Sequence, residues 1–346
     1  MRRLPVFFVL DCSESMIGEN LKRMNDGLQM IVNDLRKDPH ALETAWISVI
    51  AFAGVARTIV PLHDIVSFYP PRLPVGGGTS LGAALRELTV QIDSQVRKTS
   101  LEEKGDWKPL VYLLTDGRPT DDISGEVKRW NDYYAKKVNL IAVGMGNSVD
   151  LGVLRQLTEN VLLFTESQDG DFTRFIQWIT ASVTAHSRSV GEDTQPPLKQ
   201  TDYIVKLAKD EITRAYDDNC VVLTGRCSKT RRPYLMKYER PPAKVSGLAF
   251  DLNLNTFNIA GCYPIDEDYF SWTDTAASGV QVNTSELHGV PGCPHCGNSS
   301  AFAMCSCGKL LCIDGPDDVI CPWCEKGLSF QDDGGHSDFN VSRGRG

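Results

Sequence analysis

Long apolar runs and an excess of basic charge are both missing from this sequence, and each absence excludes a class of protein. No apolar stretch among the 346 residues approaches the roughly 20 residues that a membrane-spanning helix requires. The formal net charge is −8, which argues against bulk non-specific binding to nucleic acid or to an anionic membrane. The histidines stand apart from any nucleophile pattern, so the spacing predicts no Ser-His-Asp or Cys-His catalytic set.

The composition is that of a soluble globular protein with about two domains. Hydrophobic residues make up 42% of the chain and charged residues 23%, a balance that can bury a sizeable core. The chain has 11 cysteines, an odd count, and most of them fall between Cys293 and Cys324. Metal-bound thiolates in a reducing compartment explain this clustering better than disulfides do, so we expect a cytoplasmic protein.

The first half alternates strand and helix patterns. Strands are predicted at 6–10, 45–52, 55–62, 109–115, 138–144 and 161–164, and helices at 21–35, 80–88, 123–137, 150–158 and 171–187. Such alternation predicts an α/β fold with a mostly parallel sheet and helices on both faces. The apolar start is interpreted as the first strand and not as a signal peptide, because Asp11 ends it and no small-residue cleavage site follows. Ser80 is expected to cap its helix.

A change of pattern near residue 190 divides the chain. The predicted organisation is an α/β domain over 1–189, a linker over 190–200, a small β-rich Cys-cluster domain over 201–326 and a disordered tail over 327–346. Strands in the second domain are expected at 220–224, 234–238, 248–254 and 255–260.

Polar side chains follow the ends of two predicted strands and a glycine-rich loop. Asp11-Cys-Ser13-Glu-Ser15 follows the first strand, Asp116 follows the strand over 109–115, and Thr79 ends the loop that begins at Gly76. Because the carboxyl ends of parallel strands meet at one edge of a sheet, we expect these groups to converge there. Carboxylates and hydroxyls are hard oxygen donors, which suit Mg²⁺ or Mn²⁺.

This combination resembles the metal-ion-dependent adhesion site of von Willebrand factor A domains, which have a Rossmann-like fold. All five motif positions match, namely Asp11, Ser13, Ser15, Thr79 and Asp116. The resemblance covers roughly residues 4–188. It implies that the serines and the threonine ligate the cation, that the aspartates hold it largely through waters, and that one coordination position is left for an acidic group of a partner protein. A P-loop is not indicated, since no lysine precedes Thr79.

The cysteine cluster predicts zinc. Its two Cys-x-x-Cys turns have the spacing of a zinc ribbon, and the predicted ligands are Cys293, Cys296, Cys321 and Cys324. Three further cysteines are candidates for a second zinc, namely Cys305, Cys307 and Cys312. Two ions need eight ligands, so an eighth donor would come from His295 or from an earlier residue such as His288 or Cys262. One and two zinc ions both remain open.

An adhesion-site domain followed by such a cluster resembles the longer TerY-type proteins linked to tellurite resistance. The resemblance implies a cytoplasmic stress response, with a protein kinase or a protein phosphatase among the partners. We therefore expect a scaffold that captures an acidic residue of a partner through Mg²⁺, and no enzymatic activity.

Two alternatives stay open. The zinc ribbon and the basic stretch 226–240 could bind nucleic acid, although that stretch is also typical of a solvated hairpin face. A metal-dependent hydrolase would need more carboxylates and a general base at the metal. Glu14 is the one extra acid near the motif, and its side chain is expected to point away, as is that of Cys12, which is interpreted as core.

Overall fold

The structure is a computed structural model of the chain. It describes residues 2–116, 118–145, 149–164, 171–188, 204–205, 220–240, 256–274, 280–315, 318–329 and 338–344. The predicted linker and the predicted strand at 248–254 lie outside these residues. No helix within the described ranges is long and apolar enough to cross a membrane.

The first part of the chain builds a mixed sheet, as the alternation predicted. Its strands are β1 (Leu4–Asp11), β2 (Ala45–Phe52), β3 (Ala56–Asp64), β4 (Leu110–Thr115), β5 (Asn139–Met145), β6 (Val161–Phe164) and β7 (Ile204–Val205). Their order is β3-β2-β1-β4-β5-β6-β7. The four neighbouring pairs from β2 to β6 are parallel, and the edge strands β3 and β7 are antiparallel to their neighbours. Strand β7 comes from beyond the predicted linker, so a segment assigned to the second domain joins the first sheet.

Helices cover both faces of this sheet because alternate side chains of its strands point to opposite faces. The helices are α1 (Glu19–Leu35), α2 (Pro39–Thr44), α3 (Leu81–Gln95), α4 (Ser124–Tyr133), α5 (Leu151–Arg155) and α6 (Asp171–Arg188). In β1, Phe8 belongs to the core under α1 and α6, whereas Phe7 belongs to the core under α3 and α4. Helix α2 was not among the predicted helices; it is short and is capped by the Asp38 carboxylate.

Ser80 stands at the N-cap position of α3, as predicted, but its hydroxyl does not bond the first turn of the helix. Its hydroxyl donates to the Gly54 carbonyl oxygen at 2.9 Å. The Asp121 carboxylate instead accepts from the backbone N–H groups of Gly82 (3.3 Å) and Ala83 (3.2 Å). A residue distant in sequence therefore satisfies the first turn of the helix.

The second part is β-rich, as predicted. Its strands are β8 (Cys220–Arg226), β9 (Pro233–Glu239), β10 (Phe257–Pro264), β11 (Gln281–Asn283), β12 (Leu287–His288), β13 (Ser300–Met304), β14 (Leu310–Ile313), β15 (Val319–Ile320), β16 (Gly327–Leu328) and β17 (Asn340–Ser342), with one short helix, α7 (Asp268–Trp272). Six of them form a sheet in the order β12-β10-β9-β8-β14-β13.

The predicted disordered tail contains ordered pieces. Strand β16 pairs with β15, and β17 pairs with β11. Val341 is buried in the core of this β-rich part, which gives the tail an apolar anchor. Residues 330–337 and 345–346 lie outside the described ranges.

Candidate metal centres

Three loops meet at the carboxyl edge of the first sheet. Strands β1 and β4 are parallel neighbours, so their ends bring Asp11 and Asp116 to the same edge. The glycine-rich loop joins them through the Gly76 backbone N–H, which donates to the Cys12 carbonyl oxygen at 3.0 Å. The topology thus assembles the convergence that the motif spacing predicted.

Hydrogen bonds link the motif side chains of two of these loops. The hydroxyls of Ser13 and Ser15 lie 3.0 Å apart, and the Ser15 hydroxyl donates to Asp116 Oδ1 at 2.8 Å. Asp11 accepts from the Ser13 backbone N–H at 2.9 Å and from the Thr115 hydroxyl at 2.5 Å. These contacts bring both carboxylates and both serine hydroxyls into one constellation.

Thr79 is tied to the loop that follows Asp116 by Thr120, which was not among the predicted site residues. The Thr79 N–H donates to the Thr120 hydroxyl at 2.9 Å, and the Thr120 N–H donates back to the Thr79 carbonyl oxygen at 2.9 Å. Thr120 follows Asp116 by a few residues on the same loop, so it ties the glycine-rich loop to the end of β4. No pattern in the sequence marks Thr120 for this role.

The site is more buried than its place at strand ends suggests. Both carboxylates stand at the ends of strands, yet Asp11 is 0% exposed and Ser13, Ser15 and Thr79 are buried. Asp116 is half-buried. Burial raises the pKa of Asp11 to about 6, although hydrogen bonds from Thr115 and Ser13 lower it. A buried carboxylate with a second carboxylate nearby favours a compensating positive charge, and this donor set fits a hard divalent cation.

The two motif residues that were expected to point away do so, with different consequences. Cys12 is fully buried in the core under α1, as predicted. Glu14 is also 0% exposed, and its carboxylate accepts a hydrogen bond from the Tyr269 hydroxyl of the β-rich part. Glu14 therefore serves a contact between the two parts of the chain.

Eight of the ten cysteines of the second part form two clusters of four, and within each cluster all sulfur atoms lie within 4.8 Å of one another. The first cluster is Cys227, Cys293, Cys296 and Cys312, and the second is Cys305, Cys307, Cys321 and Cys324. Cys296 and Cys312 have sulfurs 3.6 Å apart, and so have Cys305 and Cys324. Tetrahedral ligands at about 2.3 Å from a zinc ion lie about 3.8 Å from one another, so both clusters fit such an ion.

The predicted grouping is therefore corrected. The two Cys-x-x-Cys pairs do not share one site, since each combines with two other cysteines. The eighth sulfur comes from Cys227, and the predicted donors do not supply it. His295 hydrogen-bonds the Pro233 carbonyl oxygen at 2.8 Å, and His288 and Cys262 belong to neither cluster.

A local pattern could have indicated Cys227. Its N–H donates to the Arg232 carbonyl oxygen, and the Arg231 N–H donates to the Cys227 carbonyl oxygen. The turns that begin at Cys293 and Cys321 have the same two hydrogen bonds. A cysteine at the tight hairpin between β8 and β9 is thus equivalent to the first cysteine of a Cys-x-x-Cys turn.

Backbone N–H groups tune the thiols of both clusters. Burial raises the pKa of Cys227, but hydrogen bonds from Thr230 and the contact with Cys296 lower it more, to about 6. Burial likewise raises the pKa of Cys305, and the Cys307 N–H with neighbouring thiols brings it to about 7. Burial raises the pKa of Cys321 to about 12. Each cluster thus holds one thiol whose deprotonation is favoured, the state that a metal requires.

Three basic residues of the stretch 226–240 form ion pairs with acidic residues of the C-terminal domain. Arg226 makes a two-pronged ion pair with Glu267, at 2.6 and 2.7 Å. Arg231 pairs with Glu325 at 3.1 Å, and Lys237, which is 8% exposed, pairs with Glu239 at 2.8 Å. These partners reduce the positive charge that the stretch could offer to a nucleic acid.

The fold and the sites define a class of protein, an α/β adhesion-type domain joined to a β-rich module with two four-cysteine clusters. Family models match both halves: the von Willebrand factor type A domain over residues 6–177 and the TerY-C metal binding domain over residues 217–346. The chain therefore contains a von Willebrand factor type A domain followed by a C-terminal TerY-C metal binding domain.

Curated relatives match about half of this chain. The bovine (Bos taurus) inter-alpha-trypsin inhibitor heavy chain H1 is 28% identical over 180 residues, which cover 50% of this chain and 20% of that protein. The human (Homo sapiens) heavy chain H2 is 27% identical over 166 residues, 44% of this chain and 16% of that protein. The chain thus spans about a fifth or less of the length of these relatives.

Solved structures also match about half of this chain. A von Willebrand factor type A structure from Catenulispora acidiphila has a TM-score of 0.41 at 17% identity, covering 53% of this chain and 43% of that one. Proximal thread matrix protein 1 from the mussel byssus, solved with a zinc-occupied MIDAS motif, has a TM-score of 0.37 at 20% identity, covering 54% and 46%.

Proposed function

We propose that this chain is a metal-dependent protein-binding module whose adhesion site captures an acidic residue of a partner protein. The observation that carries the proposal is the convergence of two carboxylates and the two serine hydroxyls, with Ser15 Oγ 3.0 Å from Ser13 Oγ and 2.8 Å from Asp116 Oδ1. Asp11, Ser13, Ser15, Thr79 and Asp116 would hold Mg²⁺ or Mn²⁺. A divalent cation with mostly neutral ligands supplies an electrophilic centre that attracts a carboxylate.

The two cysteine clusters would each hold Zn²⁺, in a structural role. An all-thiolate tetrahedral site leaves no open position for a substrate, so we propose no catalysis there. The clusters lie on both sides of β14, whose Cys312 belongs to the first cluster and whose neighbouring turns belong to the second. Two zinc ions would thus stabilise one small sheet that has a limited core of its own.

The resemblance to TerY-type proteins adds a biological setting to this proposal. We propose a role in a cytoplasmic response to chemical stress of the tellurite-resistance type, with a protein kinase or a protein phosphatase as partner. A pull-down from lysate after dialysis against EDTA, with Mg²⁺, Mn²⁺ or Zn²⁺ restored singly, tests this setting. Recovery of the same partners by Mg²⁺ or Mn²⁺ alone supports it, and rescue by Zn²⁺ alone contradicts it.

Asp116→Ala tests the cation site directly. We expect Mg²⁺ affinity to fall by about 10- to 100-fold, as loss of a metal-site partner does, while zinc content stays the same. The matched control is Asp122→Ala on the same loop, since the Asp122 carboxylate is exposed and accepts from Ser124. Calorimetric titration of the purified variants measures both affinities. Equal Mg²⁺ affinity in the two variants would show that the assignment is wrong.

A further inference from the structure

The C-terminal domain lies directly on the loops that carry the adhesion site. The Tyr269 hydroxyl donates to Glu14, the Gly77 N–H donates to the Thr273 hydroxyl at 2.9 Å, and the Asp274 N–H donates to the Gly77 carbonyl oxygen at 3.0 Å. A partner protein that binds at the adhesion site would have to contact the surface formed by these loops. In this structure segment 269–274 of the same chain occupies that surface.

Two apolar contacts extend this interface. Ile17, just after the Asp-x-Ser-x-Ser motif, is buried with Leu235 and Tyr269 in one cluster. Trp272 is 7% exposed and belongs to the core under α1, so a side chain of the C-terminal domain completes the core of the A domain. The contact is therefore packed, and it does not consist of isolated surface hydrogen bonds.

The glycines of the adhesion loop make room for this segment. A methyl group added at Gly76 would lie 2.5 Å from the Trp272 carbonyl oxygen, and one at Gly77 would lie 2.8 Å from the Thr273 side chain. Neither glycine has a positive φ, so the backbone conformation does not require glycine there. Close approach of segment 272–274 is what requires it.

Lys237 places a positive charge beside the cation site. Its ammonium donates to the Ser15 carbonyl oxygen at 2.7 Å and pairs with Glu239 at 2.8 Å. Strand β9 thus places the Lys237 ammonium in direct contact with Ser15 of the adhesion motif. A divalent cation held by that motif would repel it, because screening is weak between buried charges.

We propose that the C-terminal domain closes the adhesion face in cis. The positive charge of Lys237 lowers the affinity of this closed state for the divalent cation. The inference rests on the proposed function of the adhesion site and adds its regulation. Linkage is reciprocal, so a cation that binds better to the open face must loosen the contact by the same factor. Capture of a partner then requires segment 269–274 to leave.

Four variants of the zinc-loaded full-length protein test the proposal, with Mn²⁺ alone as the probe. Lys237→Met removes the charge, and Lys237→Arg keeps it as the matched control. Gly76→Ala obstructs the segment, and Gly125→Ala is its control because a methyl group there meets nothing within 4 Å. Circular dichroism and zinc content establish that each variant is folded, and either test variant suffices if the other fails to fold.

We expect Lys237→Met and Gly76→Ala to bind Mn²⁺ about tenfold more tightly, within the usual range of coupling between sites, and both controls to match the wild type. Adding Mn²⁺ to the wild type should speed amide hydrogen exchange at residues 269–274. A merely structural role of Lys237 would leave or weaken the affinity. Unchanged or weaker Mn²⁺ binding in the test variants, or unchanged exchange, overturns the proposal.

The two proposals fail in different ways. If neither the wild type nor Gly76→Ala binds Mn²⁺, or if Asp116→Ala binds it as the wild type does, the adhesion site itself is wrong. If Asp116→Ala alone loses Mn²⁺ while Lys237→Met and Gly76→Ala behave as the wild type, the adhesion site stands and closure in cis is refuted.

Discussion

At the scale of single residues, two non-glycine residues adopt a backbone conformation that glycine would adopt more easily. Arg231 has φ 60° and Glu325 has φ 61°, both in the left-handed region. Each stands in its cysteine turn where Gly297 stands in the turn at Cys293. The tight turn around the sulfur atoms thus imposes the left-handed conformation. In two of these turns a non-glycine residue adopts it, which costs conformational free energy.

Replacing Arg231 by glycine should stabilise the C-terminal domain. A non-glycine residue in the left-handed region costs about 1–2 kcal/mol, and the exposed ion pair to Glu325 contributes about 0–1 kcal/mol at most. We expect Arg231→Gly to raise the unfolding free energy by about 0.5–1 kcal/mol, since glycine also loses entropy on folding. Guanidinium unfolding of the zinc-loaded protein measures it. Lys229→Gly, in the same turn at negative φ, should destabilise, and the opposite order of the two variants contradicts the argument.

At the scale of elements, the sulfur sites are assembled by hairpins whose cysteines are far apart in the chain. The turn between β8 and β9 supplies Cys227, the turn before β13 supplies Cys293 and Cys296, and β14 supplies Cys312. Strand β14 runs parallel to β8, and this pairing brings Cys312 to Cys227. The Ser228 N–H then donates to Cys312 Sγ at 3.2 Å. Sheet register therefore decides which cysteines share an ion.

Cys227→Ser should release one zinc ion and leave the other. The first cluster would lose a sulfur ligand, whereas the second has all its ligands on residues 305–324. We expect zinc content after dialysis against a mild chelator to fall from two ions to one per chain. Elemental analysis measures it, with Cys262→Ser as the control because Cys262 lies nearby outside both clusters. Two ions retained in Cys227→Ser, or one lost in Cys262→Ser, would contradict the grouping.

At the scale of the whole molecule, the two halves depend on different sources of stability. The A domain has two large apolar cores on the faces of its sheet, whereas the C-terminal domain combines a smaller core with two sulfur clusters. Structural zinc contributes on the order of 10 kcal/mol to folding of small modules. Metal loss should therefore act on one half first.

A strong chelator should unfold the C-terminal domain and spare the interior of the A domain. We expect amides in β8, β9 and β14 to lose protection from hydrogen exchange while those in β1 and β4 keep it. Residues 76–80 should also exchange faster, because the segment that covers them is lost. Added Zn²⁺ should restore protection and Mg²⁺ should not, since thiolates disfavour a hard ion. Simultaneous unfolding of both halves, or no change in β8, would refute this division.

Local pattern by itself determined the A domain and the location of its site. In β1 and in β4 the apolar run is followed within a few positions by the motif residues. Periodicity and turn chemistry therefore predicted the sheet, the helices on both of its faces and the candidate ligands. The Cys-x-x-Cys turns likewise indicated metal. These features depend on short-range geometry, which a linear sequence carries.

Only the tertiary structure decided which cysteines share a cluster and what covers the adhesion face. Cys227 joins Cys312 through the register of β8 with β14, and Gly76 meets Trp272 through the docking of the C-terminal domain. The burial of Asp11 follows from the same long-range packing. Contacts between residues far apart in the chain depend on the free energy of the whole fold and leave no period or spacing in the sequence. The contact between the glycine-rich loop and segment 272–274 could therefore be seen only in the tertiary structure.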